Sequence, residues 1–158
     1  MESRPTPPPS PLPTATIQPT ATAIPTPAYP WTDENAVLNG ICFEAALDAA
    51  GQVFVLRRPE DLLNLYDLAD NSQLCRHPVT RQPFDFAEGR VLAGLWSAGR
   101  GCTAHHEVLS IERDDSARTL TIHLRLITDG ACAYELVRPF WIGMDRVSDF
   151  TIDLKLIN

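Results

Sequence analysis

No stretch of this sequence approaches the roughly 20 consecutive apolar residues of a membrane-spanning helix. Basic residues are also short: 13 Lys and Arg stand against 20 Asp and Glu in 158 residues, a formal net charge of -7. That balance argues against a nucleic-acid partner, whose phosphates demand a basic footprint, and against electrostatic attachment to anionic lipid. No signal peptide is legible, since Met1-Glu2-Ser3-Arg4 leads straight into proline. There is no G-x-S-x-G elbow, no H-E-x-x-H, no phosphate-cradling glycine loop and no dinucleotide fingerprint, so no cofactor is implied. Strands and helices do not alternate, which speaks against a parallel sheet wrapped by helices.

What is present divides near residue 30. Residues 1–30 are nearly all Pro, Thr, Ala and Ser, with Glu2 and Arg4 the only charges. Such a stretch has too little apolar surface to offset chain entropy. Proline at this density favours extended polyproline II, a semi-rigid spacer of ~90 Å at ~3.1 Å per residue. The expectation is a stalk that resembles the Thr/Pro-rich stretches following the lipid-anchor cysteine of bacterial surface lipoproteins. Its anchor would lie upstream, on an exported chain whose leader has been trimmed.

Residues 31–158 read as one globular domain. Thr119 to Leu126 alternates strictly, with Leu120, Ile122, Leu124 and Leu126 on one face, the mark of a half-buried strand. Leu109 and Ile111 alternate upstream, and Asp114 to Ala117 make the turn of a hairpin. Pairing Arg113 with Arg118 would set Ile111 opposite Leu120 and Leu109 opposite Ile122, at the cost of one like-charged pair. Gln52–Leu56, Val91–Trp96 and Phe150–Leu156 read as further strands, and Tyr134–Gly143 as an extended run broken at Pro139. Ser97 to Gly101 reads as a flexible connector. Pro59, followed by Glu60 and Asp61, opens a helix with an apolar stripe of Leu62, Leu65, Tyr66 and Ala69. Ile41 to Ala50 fits either a short helix stopped by Gly51 or a strand. The fold class is mainly β (α+β): an antiparallel β-sandwich or curled sheet with one or two short helices.

Four cysteines in a small acidic chain suit an oxidising compartment. Four cysteines allow three pairings; Cys102 and Cys132 end the hairpin, so the favoured one joins them and leaves Cys42 with Cys75. Zinc is the rival reading, because Cys75 and His77, and Cys102 and His105, lie close in sequence. The paired C-x₂₋₄-C spacing of structural zinc is absent, so no metal is expected. His105-His106-Glu107 would put His105 and Glu107 on one strand face and His106 on the other, near His123, a set that could serve a metal-dependent hydrolase. Arg138-Pro139-Phe140-Trp141 gathers the residue types that carry energy at protein interfaces. Arg138, Phe140, Trp141, His105 and His106 are therefore the candidate binding residues, with no catalytic residue assigned. The expected partner is a protein, either a secreted protease or an envelope component.

From Val53 to Leu156 the order of elements resembles the C-terminal domain of bacterial protease-complex lipoproteins (PrcB-like). The resemblance is carried by the strand Val53–Leu56 running into the helix at Pro59, and by Phe84-Asp85-Phe86 ahead of Val91–Trp96. Gly99-Arg100-Gly101 before the hairpin and Arg138-Pro139-Phe140 match as well. It implies a small extracytoplasmic β-rich domain with an accessory, non-catalytic role beside secreted proteases. Where that family carries Gly-Gly-Tyr, this chain has Gly101-Cys102-Thr103-Ala104-His105-His106. Arg138-Pro139-Phe140 and Phe150–Leu156 are also similar to the Arg-Pro-aromatic loop and last strand of chagasin-type inhibitors of cysteine peptidases. That second likeness implies an immunoglobulin-like protease inhibitor, although the family's Asn-Pro-Thr-Thr-Gly loop is missing.

Overall fold

A computed structural model of the chain describes residues 29–157. The expected stalk lies outside the described residues, apart from Tyr29 and Pro30. The alternating runs form seven strands and two helices: β1 (Thr32–Asp33), α1 (Phe43–Asp48), β2 (Phe54–Leu56), α2 (Pro59–Asn71), β3 (Val91–Arg100), β4 (Thr103–Asp114), β5 (Thr119–Asp129), β6 (Glu135–Met144) and β7 (Thr151–Leu156). One sheet has the order β1-β6-β3-β2 and the other β4-β5-β7. The two sheets pack face to face, and the helices cover the outer face of the first, so the domain has three layers.

Period-two patterning sorts the side chains of β3 between two cores. Val91, Ala93 and Leu95 face the second sheet and meet Ile122, Leu124, Ile142 and Leu154. Leu92 and Trp96 face the helices, with Trp141, Phe54, Leu62, Leu65 and Tyr66. Both faces of β3 are thus covered, as its nearly unbroken apolar sequence requires. Gly94 has a steric reason: a Cβ there would strike the Phe140 carbonyl and the Trp141 ring.

The ambiguous Ile41–Ala50 stretch contains helix α1, with Gly51 just beyond it at φ +83°. Helix α2 starts at Pro59, and the Asp61 carboxylate accepts the backbone N–H groups of Arg57 and Arg58 at 2.9 and 3.1 Å. Its stripe of Leu62, Leu65, Tyr66 and Ala69 is buried as the spacing predicts. After the helix the chain is irregular. It is held by Asp70, whose Oδ1 accepts the Val79 N–H at 2.7 Å, and by the disulfide between Cys42 and Cys75. The second disulfide, Cys102 to Cys132, ties together two of the three places where the chain crosses between sheets, β3 to β4 and β5 to β6.

Four details correct the sequence expectations. The hairpin pairs Arg113 with Leu120 and Ile111 with Ile122, and a bulge between Val108 and Ser110 removes Leu109 from the ladder. The slip is by two residues, so Ile111 keeps its face, and the Arg113–Arg118 clash is avoided. Arg113 instead lies over the Phe150 ring, 4.8 Å from its centroid. Ser97–Arg100 is not a connector: β3 runs through it, paired with Arg138 back to Glu135, and only Gly101 and Cys102 join β3 to β4. A Cβ on Gly99 would meet the Leu126 and Thr128 side chains, so that glycine serves close approach of the sheets. Pro139 does not break its strand. It pairs with Trp96 inside a continuous β6, and its nitrogen, which has no hydrogen to donate, faces the outer edge. Finally, the sandwich is not wholly antiparallel, because β7 runs parallel to β5, Leu120 opposite Ile152 and Ile122 opposite Leu154. Parallel neighbours need a long crossover, and here the crossover is β6, laid into the opposite sheet.

Candidate functional site: a cleft on one flank of the sandwich

The two flanks of the sandwich are built differently. On one, β2 and the segment before β7 meet through Arg57, which donates to the carbonyls of Val147 (3.4 Å), Ser148 (2.6 Å) and Phe150 (2.7 Å). On the other, β1 and β6 edge one sheet, β4 edges the other, and a cleft of about 400 Å³ opens between them. It is lined by Trp31, Asp33, Asn35, Ala104, His105, His106, Arg138, Pro139, Phe140, Trp141 and Ile142.

The inner walls follow from strand parity. Arg138 and Phe140 alternate with Trp141 on β6 and so face the second sheet beside Ile142 and Met144. On β4 the bulge at Leu109 reverses parity, which turns Val108, His106 and Ala104 inward. His106 Nε2 reaches Ser97 Oγ at 2.7 Å, and Ser97, 1% exposed, is the buried polar residue at the end of the inward series Val91, Ala93, Leu95. Burial, and then the positive charge of His105, push the His106 pKa down from 6.5 to about 4, so the ring is neutral at physiological pH. Arg138 Nε donates to the Ala104 carbonyl at 3.1 Å and Nη1 to the Val137 carbonyl at 3.1 Å, which binds β6 to β4 at the cleft's end.

Trp31, Phe140 and His106 line the cleft with their rings, and Tyr29 lies beyond them. Tyr29 stacks on Trp31 with centroids 4.6 Å apart and planes within 5°. Trp31 meets Phe140 edge-on at 6.2 Å, and Phe140 meets His106 at 5.5 Å. The rim is polar and largely self-paired. Asp33 Oδ1 accepts the Asn35 N–H at 2.8 Å, and Asn35 Oδ1 accepts the Trp141 N–H at 2.7 Å. His105 Nδ1 lies 3.8 Å from Asp129 Oδ2.

All five expected binding residues border the cleft, but only Arg138, Phe140, His105 and His106 offer it a side chain. The fifth is a correction. Trp141 is 0% exposed and its indole belongs to the helix-side core, 5.0 Å from the Trp96 ring, so it packs the fold and offers a partner no surface. His123 is not near His106. It sits on the opposite face of the second sheet, with Nδ1 2.9 Å from Ser110 Oγ and 3.7 Å from Glu112. Glu107 is engaged by Arg125 Nη2 at 2.6 Å on that same outer face. Among the described residues no group of three His, Cys, Asp or Glu is placed to hold a metal ion, and all four cysteines are disulfide-bonded. Ser97 and His106 are a hydroxyl beside an imidazole, but Ser97 is closed to solvent and the imidazole is a weak base, which describes a satisfied buried pair.

Sequence reasoning missed Ser97, Trp31 and Asn35. Ser97 was legible as the polar member of a buried period-two series. The bulge that turns His106 inward also had a signal, the consecutive apolar pair Val108-Leu109, which breaks strict alternation. Fold and site together define a disulfide-stapled three-layer domain, two β-sheets and a helical layer, with an aromatic cleft on one open flank. No family model, curated protein or solved structure matches the chain.

Proposed function

We propose that this is a non-catalytic, extracytoplasmic accessory domain that binds an extended segment of a protein partner in the cleft, carried at a cell surface on its Pro/Thr-rich stretch. The observation that carries the reading is the run of rings Trp31, Phe140 and His106 along the cleft, ending at Arg138. It offers apolar faces flanked by a few oriented polar groups, the make-up of a recognition groove. Two disulfides suit an oxidising compartment, and no helix among the described residues is long and apolar enough to cross a membrane. The outer edge of β4 is a poorer docking site, since charged residues and the bulge blunt it against strand addition.

The test is site-specific cross-linking in the native envelope or secretome. A photo-reactive residue at position 105 should trap a partner, and one in place of exposed Leu68 on α2 should not. Phe140→Ala and Arg138→Ala should weaken that partner's affinity about thirtyfold. Cross-linking from position 68 alone, or unchanged affinity in both variants, rejects the cleft. If the wild type also slows a papain-type protease and the variants do not, the partner is a peptidase.

A further inference from the structure

We infer that the segment taken by the cleft is proline-rich and uncharged, and that residues 5–28 of a second copy of this chain are such an occupant. The inference rests on the cleft being a docking site and names what docks there. Rows of aromatic faces recognise proline-rich chain, because proline rings lie flat on aromatic rings and the segment loses little freedom on binding. Trp31, Phe140 and His106 form such a row along the cleft, with ring centroids stepping by 6.2 and 5.5 Å, and Tyr29 covers one face of Trp31 at its end. Tyr29 remains 46% exposed at its outer end.

The chain carries the matching ligand. Nine of its 14 prolines fall in residues 5–28, including Pro5-Thr6-Pro7-Pro8 and Pro8-Pro9-Ser10-Pro11, and this stretch holds no Asp, Glu, Lys or Arg. The cleft's inner polar groups are largely paired already: Arg138 Nε and Nη1 with two carbonyls, His106 with Ser97, and Asp33 Oδ1 with the Asn35 N–H. A neutral segment therefore fits where a charged one would be desolvated without a partner. The proline-rich stretch also joins the domain at the rim itself, through Tyr29-Pro30-Trp31. Because β1 runs antiparallel to β6, with Thr32 opposite Gly143 and Asp33 opposite Ile142, the chain before Thr32 heads toward the Met144 end, away from Arg138. Docking its own stretch requires a reversal of direction, which a second copy's stretch does not. Reciprocal exchange closes a two-fold dimer, and copies held on one surface meet at high effective concentration.

The experiment uses the full chain. Sedimentation equilibrium should show a concentration-dependent dimer that is lost when the prolines between residues 5 and 28 are replaced by serine. A synthetic peptide of residues 5–28, added to that serine variant, should shift the amide resonances of Phe140, His106 and Ala104 saturably. Tyr29→Ala, an exposed position, should weaken the peptide about tenfold with the melting temperature unchanged. A chain that stays monomeric, while its cleft resonances still differ between wild type and serine variant, would place its own stretch in the cleft and overturn the second-copy assignment. No resonance shift with the peptide, or shifts confined to α1 and α2, overturns the proline-rich occupant altogether. If cross-linking from position 105 still traps a different protein, the docking reading stands without it.

Discussion

Arg57 and Arg138 perform the same act on opposite flanks of the sandwich, with different completeness. Each reaches from the first sheet to backbone carbonyls on the other side. Arg57 satisfies three of them, and its flank is closed. Arg138 satisfies one across the gap and one on its own strand, and its flank is open. The rest of the open flank is filled by side chains that do not interlock as aliphatic residues would: flat rings and one neutral imidazole. The comparison teaches that the cleft is a seam of the fold left partly unfastened. The seam has a firm backing, since the strand that forms its wall carries Trp141 on the other face.

That backing is where the comparison can be broken hardest. Trp141→Ala should cost about 3–5 kcal/mol and lower the melting temperature by about 10–20 °C, because a large core ring is lost without a neighbour to fill its place. A variant that melts like the wild type would mean the indole is not core after all. Replacing Cys102 and Cys132 together by alanine should cost about 2–4 kcal/mol, since that bond closes a loop of sequence separation 30 where two of the chain crossings lie. Urea denaturation of the variant measures it, and alkylation of the unreduced wild type should find no free thiol. Arg57→Ala should cost about 2 kcal/mol by leaving three carbonyls without their donor, and Arg138→Ala no more than about 1 kcal/mol. Equal losses would erase the distinction between a closed and an open flank.

The smallest effect is on pH dependence. His106 has a folded-state pKa of about 4 against 6.5 for the free side chain, so above pH 6.5 both states hold it neutral. As pH falls from 6.5 toward 4, the unfolded chain takes up a proton that the folded one refuses, and stability is lost across that window. After allowance for the ring's partial exposure the loss is about 1 kcal/mol. His106→Gln should remove that limb of the pH profile and leave the acid limb set by the carboxylates. Asp61, Asp70 and Asp114 are held below 3.8, chiefly by the Arg57 N–H, the Val79 N–H and the Ser116 hydroxyl respectively, so their contributions fall at lower pH.

Much of the architecture was legible because it depends on local periodicity. The stripe of α2, the first half of β3, and the strands β5 and β7 follow from spacing, and the hairpin pointed to the Cys102–Cys132 pair. What could not be read depends on distant choices. The parallel placement of β7 against β5 is decided by where β6 lies, and no residue of β7 records it. The alternation of Phe150, Ile152, Leu154 and Leu156 fits either direction. For the candidate site, four of the named residues turn a side chain to one cleft and one does not. Arg138, Phe140 and Trp141 are consecutive enough to look like one patch, yet strand parity sends Trp141 to the opposite face from the other two. His106 faces its cleft only because a single residue, Leu109, drops out of the ladder.

The shortness of β1 has a mechanical consequence. β1 is held to β6 by two register pairs, whereas β7 at the other end of the chain is paired with β5 over six residues. Tension transmitted through the residues before Tyr29 is therefore borne first by the weakest seam in the sandwich. Behind that seam stand the Trp31 ring, the Arg90–Glu34 ion pair at 3.3 Å and two hydrogen bonds to the Trp141 backbone, from the Glu34 N–H to its carbonyl and from its N–H to Asn35 Oδ1. Under load β1 peels before any other strand yields, and because Trp31 leaves with it, a pulled domain loses its groove while the rest of the sandwich remains folded.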